Sequence, residues 1–311
     1  MTAPVLVVDV GATTSRFALA RADGSLDAVR AVANDEAADL ATVLDAALAA
    51  SGSVRPVACV LAVAGPVDGD LVKLTNRPWS FSQRGLRNEL KLSRLVVVND
   101  FVAAAHALPA LRQADLVAVG SGRSEPRGTM LVCGPGTGFG AACLHRDRGK
   151  PRAVASEAGH MRLGAATADE ARIVAHLVRE EGPAVIEHVL SGPGLGRLHR
   201  ILSGEDANAE AIIAAARLGK KGARETVNAF LRLFGRVAGD LALAFDARGG
   251  VFMAGGIGRA LAPFFASSPF RTVFEEHPPY QARLAAIPTW VIAHAAPGLV
   301  GAAMLARTIR R

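Results

Sequence analysis

Apolar and polar positions divide this chain into two kinds of segment. In the first, valine-rich apolar residues run almost unbroken: VLVVDV from Val5, PVACVLAVAG from Pro56, LVVVND from Leu95, MLVCG from Met130 and VFMA from Val251. Such runs, bounded by turn residues, predict buried strands. In the second kind, apolar residues return every three or four positions, the spacing of a helix face. Leu40, Val43, Leu44, Ala47 and Leu48 share one such face, and FVAAAHAL after Asp100 reads as helix. The longest helix is predicted from about Ala223 to Phe245, with Val227, Phe230, Phe234, Val237 and Leu241 inward.

These elements have an order. VLVVDV, SRFALARA and AVRAVA predict a β-meander, followed by helix and further strands at Pro56, LVKLTN and Leu95. A second meander begins at Gly128, where MLVCGPGTGFGAACLHR reads as two strands joined by a glycine turn, the second ending at Gly149-Lys150-Pro151. From Thr167 the chain is mostly helical, then come VFMA, a helix after Gly258, the strand PTWVIAH and a last helix from about Gly298. Hairpin plus helices, twice over, is an α/β organisation with degenerate internal duplication. The boundary between the halves is expected near Pro109.

Composition narrows the class. The chain has 311 residues, half of them apolar and a fifth charged, which suits two soluble globular domains. The formal net charge is +7, but basic residues are scattered singly, with no run longer than Arg310–Arg311 or Lys220–Lys221. That argues against a nucleic-acid track and for a mildly positive surface that attracts anionic substrates. Of three cysteines, Cys59 and Cys133 fall inside strand runs and read as inert core thiols. An odd count without a CxxC pair argues against a disulfide framework and a zinc site. The start, MTAPVLVVDV, lacks a basic segment and leads straight into a strand, and no apolar stretch reaches the ~18 residues of a membrane span. Cytoplasmic location without membrane attachment is the expectation.

Three strand runs end in clusters of small residues: DVGATT at Asp9, GPGTGFG at Gly134 and AGGIG at Ala254. Glycine lets backbone N–H groups approach an anion closely, so the three suggest a cleft that grips a nucleotide. GPGTGFG contains the dinucleotide spacing at Gly136, Gly138 and Ala141, but that motif must open a helix, and here a strand follows. A P-loop is absent. What remains is a hairpin turn offering backbone donors and the Thr137 hydroxyl to phosphate, or a plain tight hairpin. Asp9 either holds a hydrated Mg²⁺ or stabilises its own turn. Asp100 is either a helix cap or a general base, with Asn99 beside it as a hydroxyl ligand. Glu157 and His160, three apart, and Glu187 are ligands for a polyol or surface residues.

Together these segments resemble the bacterial glucokinases of the hexokinase–actin–Hsp70 superfamily, in order and over nearly the whole chain. DVGATTSRFAL resembles the first phosphate loop, LTNRPWSF the sugar-side hairpin, and VVVNDF the Asn-Asp pair. CGPGTGFG resembles the second phosphate loop, SEAGH and EHVLSGPGL the sugar segments, and GGVFMAGGI the adenosine motif. The resemblance implies a two-domain actin-like (ribonuclease H-like) α/β fold with a central cleft. Its small domain would be residues 1–110 plus 297–311, and its large domain residues 111–296. It implies an ATP-dependent hexose kinase that transfers the γ-phosphoryl to the 6-hydroxyl of glucose, forming the glucose 6-phosphate of glycolysis. Asp100 would be the catalytic base, and Asn99, Asp100, Glu157, His160 and Glu187 would hold the sugar. Asp9, Gly11, Thr13, Gly136, Thr137, Gly138, Gly255 and Gly256 would bind nucleotide, with Asp9 meeting Mg²⁺ through water. ATP and glucose are the implied partners, with a homodimer left open. Ala12 and Thr14 depart from the family's Asp-x-Gly-Gly-Thr-Asn loop, replacing its second glycine and its asparagine. Another hexose such as glucosamine or mannose, ADP or polyphosphate as donor, and a non-catalytic sugar sensor are the alternatives.

Overall fold

The run VLVVDV forms β1 (Val5–Val10), apolar on both alternating faces because both are covered. β2 (Thr14–Ala20) and β3 (Arg30–Ala33) extend it as an antiparallel meander. α1 (Leu40–Ala49) follows, its first turn capped by Asp39, which accepts from the Thr42 N–H. Then come β4 (Ala58–Val63), a hairpin of β5 (Leu71–Lys73) and β6 (Ser80–Ser82), α2 (Gln83–Glu89), β7 (Arg94–Asn99) and α3 (Asp100–Ala107). The sheet order is β3-β2-β1-β4-β7, with β1, β4 and β7 parallel. The register sets Val10 beside Val63 and Val63 beside Asn99. The C-terminal ends of these three strands therefore line one edge, the edge where open α/β sheets bind ligands.

A second sheet is built from β8 (Leu116–Ala118), β9 (Met130–Pro135), β10 (Phe139–Asp147), β11 (Lys150–Ser156), β12 (Gly250–Met253) and β13 (Thr289–Ile292). Its order is β11-β10-β9-β12-β13-β8. Between β11 and β12 lie α4 (Ala168–Glu181), α5 (Gly192–Ser203), α6 (Ala209–Arg217) and α7 (Lys221–Ala244). The short helices α8 (Gly256–Ala260), α9 (Ala262–Phe265), α10 (Phe270–Glu275) and α11 (Gln281–Ala286) precede β13, and α12 (Pro297–Ile309) ends the chain. α7 buries Val227, Phe230, Phe234, Val237 and Leu241 against Leu131 and Cys133 of β9. Phe234 meets Phe139, Phe265 and Phe270 edge to face, with centroids 5.4–6.1 Å apart.

The computed structural model describes residues 4–50, 52, 56–75, 77–147 and 150–309, so Asn76, Gly149 and the Arg310–Arg311 pair of the sequence reading lie outside the described residues. The chain forms two compact units, one of residues up to Leu111 together with those from His294 onward, the other of Arg112–Ala293. In the first unit Leu6, Val8, Cys59, Leu61 and Val63 face α1, while Val5, Val7 and Val60 face Leu299, Ala302, Ala303 and Ala306 of α12. Among the described residues no helix is long and apolar enough to cross a membrane.

Two strands escape the periodicity. β8 is three residues long and half exposed, so it carries no alternation; it pairs as an edge with β13 through Ala118 and Trp290. β11 resumes at Lys150, where the pattern suggested an end, and its Arg152, Val154 and Ala155 are exposed. The helix after the third glycine cluster begins at Gly256 rather than beyond Gly258.

α12 lies so close to α3 that a Cβ on Gly301 would overlap the Ala103 carbonyl oxygen. Gly301→Ala is therefore expected to cost about 1–3 kcal/mol, read as a lower urea midpoint. Gly222→Ala in α7, where an added Cβ meets nothing within 4 Å, should be neutral or mildly stabilising.

Candidate functional site

The β1–β2 turn carries Asp9, Gly11 and Thr13. Its carbonyls are pinned from behind. Asn34 Nδ2 donates to Gly11 O (2.8 Å), the Asn34 N–H donates to Thr13 O (2.8 Å), and Arg77 Nε donates to Ala12 O (2.8 Å). Asn34 is fully buried, and its Oδ1 accepts from Ser15 Oγ at 2.6 Å. In a trans peptide the carbonyl and the next N–H point in opposite directions. Holding the carbonyls of Gly11 and Ala12 thus turns the N–H groups of Ala12 and Thr13 outward. Neither N–H bonds to another described residue, and outward donors at a strand-end turn suit an anion.

Asp9 follows Val5 and Val7 on the face that α12 covers. A Cβ on Gly298, in the first turn of α12, would lie 2.7–2.9 Å from its carboxylate atoms. Burial pushes the Asp9 carboxyl up to about 6, against a smaller downward pull from Arg16, its cross-strand partner. No group of three or more His, Cys, Asp or Glu that would cage a metal exists among the described residues. A single, costly carboxylate beside outward backbone donors fits Mg²⁺ that keeps its waters and arrives on a phosphate.

At the start of α3 the cap is Asn99, not Asp100. Asn99 Oδ1 accepts from the N–H groups of Phe101 (2.9 Å) and Val102 (3.2 Å), while its Nδ2 donates to Gly65 O at 3.2 Å. Asn99 thus keeps one N–H for a ligand. Asp100 is the first helical residue, and its Oδ1 accepts from the Phe101 N–H at 2.9 Å.

In the second unit the turn Pro135–Phe139 is closed by Gly136 N–H donating to Gly138 O (2.8 Å). Gly192, at the start of α5, donates to Gly136 O (2.8 Å), and Ser191 Oγ caps α5 at Gly194 N–H (2.9 Å). The α5 donors are thereby used internally. Thr137 is exposed, and the N–H groups of Thr137 and Gly138 bond to no other described residue. The third cluster presses on the same turn: Gly255, at φ 90°, leaves no room for a Cβ against Pro135 O. An added Cβ at Gly136 or Gly256 would meet no protein atom within 4 Å.

Glu187 joins this group from a distant segment. Its Oε2 accepts from the Phe139 N–H at 3.3 Å, and its Oε1 lies 3.9 Å from His160 Nδ1. The carboxylate fits because Gly138 and Gly159 have no side chains; a Cβ there would stand 2.7 Å and 3.2 Å from Oε2. Gly138, Glu187 and His160 are therefore brought together. Glu157 stands on the same 3₁₀ turn as His160, exposed, and its side chain does not cap that turn. Sequence reasoning missed Asn34, Arg77 and Gly298. Only Arg77 left a trace, as a cation two residues before Trp79 in a hairpin loop.

The Glucokinase family model matches residues 6–309 of this chain. A glucokinase of Paramagnetospirillum magneticum is 43% identical over 317 residues, covering 98% of this chain and 98% of that protein. A glucokinase of a Chelativorans species is 40% identical over 318 residues, covering 99% and 92%. Among solved structures, a glucokinase from an Antarctic psychrotroph superposes with a TM-score of 0.88 at 31% identity, covering 99% of this chain and 100% of that one.

The Asp9 carboxyl makes a stability prediction. Its folded value, about 6, lies above the unfolded 3.8. The folded form therefore holds a proton that the unfolded form has already lost, and stability falls as pH rises through about 6. Without Mg²⁺ and nucleotide, Asp9→Asn should be more stable than the parent at pH 7–8, by about 1–3 kcal/mol given its partial exposure, and equal to it near pH 3. Urea titrations at the two pH values check this.

Proposed function

The chain belongs to the glucokinase family, and we propose that it transfers the γ-phosphoryl of ATP to the 6-hydroxyl of glucose. Similarity along 98% of both chains to a protein named glucokinase is the observation that carries this reading.

Asp100 accepts the 6-hydroxyl proton as that oxygen attacks the γ-phosphorus. The new O–P bond forms as the bond to the β-phosphate oxygen breaks, and ADP leaves. A carboxylate on the first residue of α3, already accepting from the Phe101 N–H, would serve as that proton acceptor. The remaining Nδ2 hydrogen of Asn99 points a donor at a neighbouring hydroxyl. Glu187, held by the Phe139 N–H, and His160 orient other hydroxyls, and Glu157 adds a carboxylate from the same turn as His160. The outward N–H groups of Ala12, Thr13, Thr137 and Gly138 receive phosphate oxygens, with Gly255 and Gly256 on the nucleoside side. Asp9 would hold Mg²⁺ through water, an ion that would supply charge neutralisation to the phosphates. Phosphoryl transfer asks for positioning and charge stabilisation, which suits carboxylates and backbone donors.

Coupled ADP release over a panel of hexoses and donors tests the reading: glucose with ATP should have the highest kcat/KM, and absence of turnover with every hexose would overturn it. Asp100→Asn should lower kcat ~10²–10⁴-fold while glucose still binds. Glu187→Gln should raise glucose KM by about tenfold or more and leave ATP binding without sugar almost unchanged. Asp9→Ala should weaken MgATP use with glucose affinity, by calorimetry, nearly unaltered.

A further inference from the structure

Arg77 lies within the segment LTNRPWSF but has no role assigned above, yet among the described residues it is the most heavily engaged side chain of the first unit's ligand edge. It projects from the β5–β6 loop, closed by Leu74 N–H donating to Trp79 O at 3.0 Å. Its guanidinium stands 4.9 Å over the Trp79 ring, and Trp79 is buried in the core. From there Nε reaches Ala12 O (2.8 Å), Nη1 reaches Asn34 O (3.3 Å), and Nη2 pairs with Asp35. The arginine side chain is only 15% exposed, whereas Asp35 is 84% exposed. The exposed ion pair contributes little; the two backbone contacts are what the planar fork supplies.

The same loop is tied on its other side to the start of α3. Thr75 N–H donates to Ala64 O at 3.0 Å, Gly65 follows, and Gly65 O accepts from Asn99 Nδ2 at 3.2 Å. A Cβ on Gly65 would stand 2.7 Å from Lys73 O, so this junction is tight. A continuous path of bonds thus runs from Asn99 through Gly65 and the loop to Arg77, and from Arg77 to the carbonyl that aims the Thr13 N–H. One end is the proposed sugar side, the other the proposed phosphate turn.

We propose that Arg77 is a positioning residue that couples sugar occupancy at Asn99 to the orientation of the β1–β2 phosphate turn. This rests on the functional reading above. It acts through Ala12 O and Asn34 O and touches neither substrate. Shifting the loop by a bound sugar moves the fork, and the fork moves the turn.

The test measures glucose affinity by calorimetry with and without Mg²⁺ and a non-hydrolysable ATP analogue. In the parent, each ligand should tighten the other by about fivefold or more. Arg77→Lys keeps charge and stem but cannot span both carbonyls. It should bring that factor close to one and raise MgATP KM by about tenfold, with glucose affinity alone little changed. A merely structural role would lower the melting temperature or the active fraction and leave the factor intact, which overturns the proposal; so does a parent with no coupling. Asp35→Asn, which spares both backbone contacts, should keep the parent's factor. Tryptophan emission gives a readout without activity. With Trp290→Phe, Trp79 is the remaining one of two tryptophans. Its signal should respond to the Mg²⁺–analogue pair, and Arg77→Lys should abolish the response. If the parent phosphorylates no hexose, the functional reading has failed; if it does and Arg77→Lys retains coupling, only this inference has.

Discussion

Backbone contact between α3 and α12 is the constraint on which the first unit's ligand edge depends. Gly301 presses on the Ala103 carbonyl. Three residues back along α12, Gly298 meets the Asp9 carboxylate, and three residues back along α3 is Asp100. Three helical residues rise about 4.5 Å, so each carboxylate lies within one turn of the same crossing. The two acidic groups thus inherit their separation from a helix contact that admits no side chain. Packing elsewhere in the sheet can adjust around that crossing, but the crossing itself has no slack.

That arrangement sets stability against use. Asp9 is placed where burial disfavours its charge, a cost that a cation or the first turn of α12 offsets only in part. On the other side of the turn, Asn34 and Arg77 hold the carbonyls of Gly11, Ala12 and Thr13, so the turn is formed before any ligand arrives and its aim follows those two side chains. Preorganised donors do not have to be reoriented during reaction. The second unit repeats the principle with different parts: Glu187 is fixed by one N–H and by two missing side chains, at Gly138 and Gly159.

Much of this was legible in the residue pattern. Continuous valine-rich runs marked β1, β4, β9 and β12 because both faces of those strands are buried, the same kind of run marked the partly buried edge strand β7, and glycine clusters marked the turns that end β1, β9 and β12. The inward face of α7 followed from its period. What stayed hidden depends on contacts between distant segments. The assignment of the α3 cap between Asn99 and Asp100 is one example, since both residue types cap helices and only the backbone path selects Asn99. The placing of Glu187 under the Phe139 N–H is another, the two being 48 positions apart in the chain. Asn34 reads as an ordinary loop asparagine until its burial is seen. β8 and β11 were obscured because edge strands carry too little burial to impose alternation.

The buried cysteines acquire a use from the division into two units. Cys59 lies in β4 of the first unit and Cys133 in β9 of the second, and burial raises both thiols to about 12. The thiolate is the reactive form, and burial disfavours it at both positions while shielding the sulfur from solvent. Alkylation of each therefore waits for its own unit to open. The chain thus carries internal clocks in both units, Cys59 in the first and Cys133 and Cys143 in the second, that would time the separate opening of its halves without any added probe.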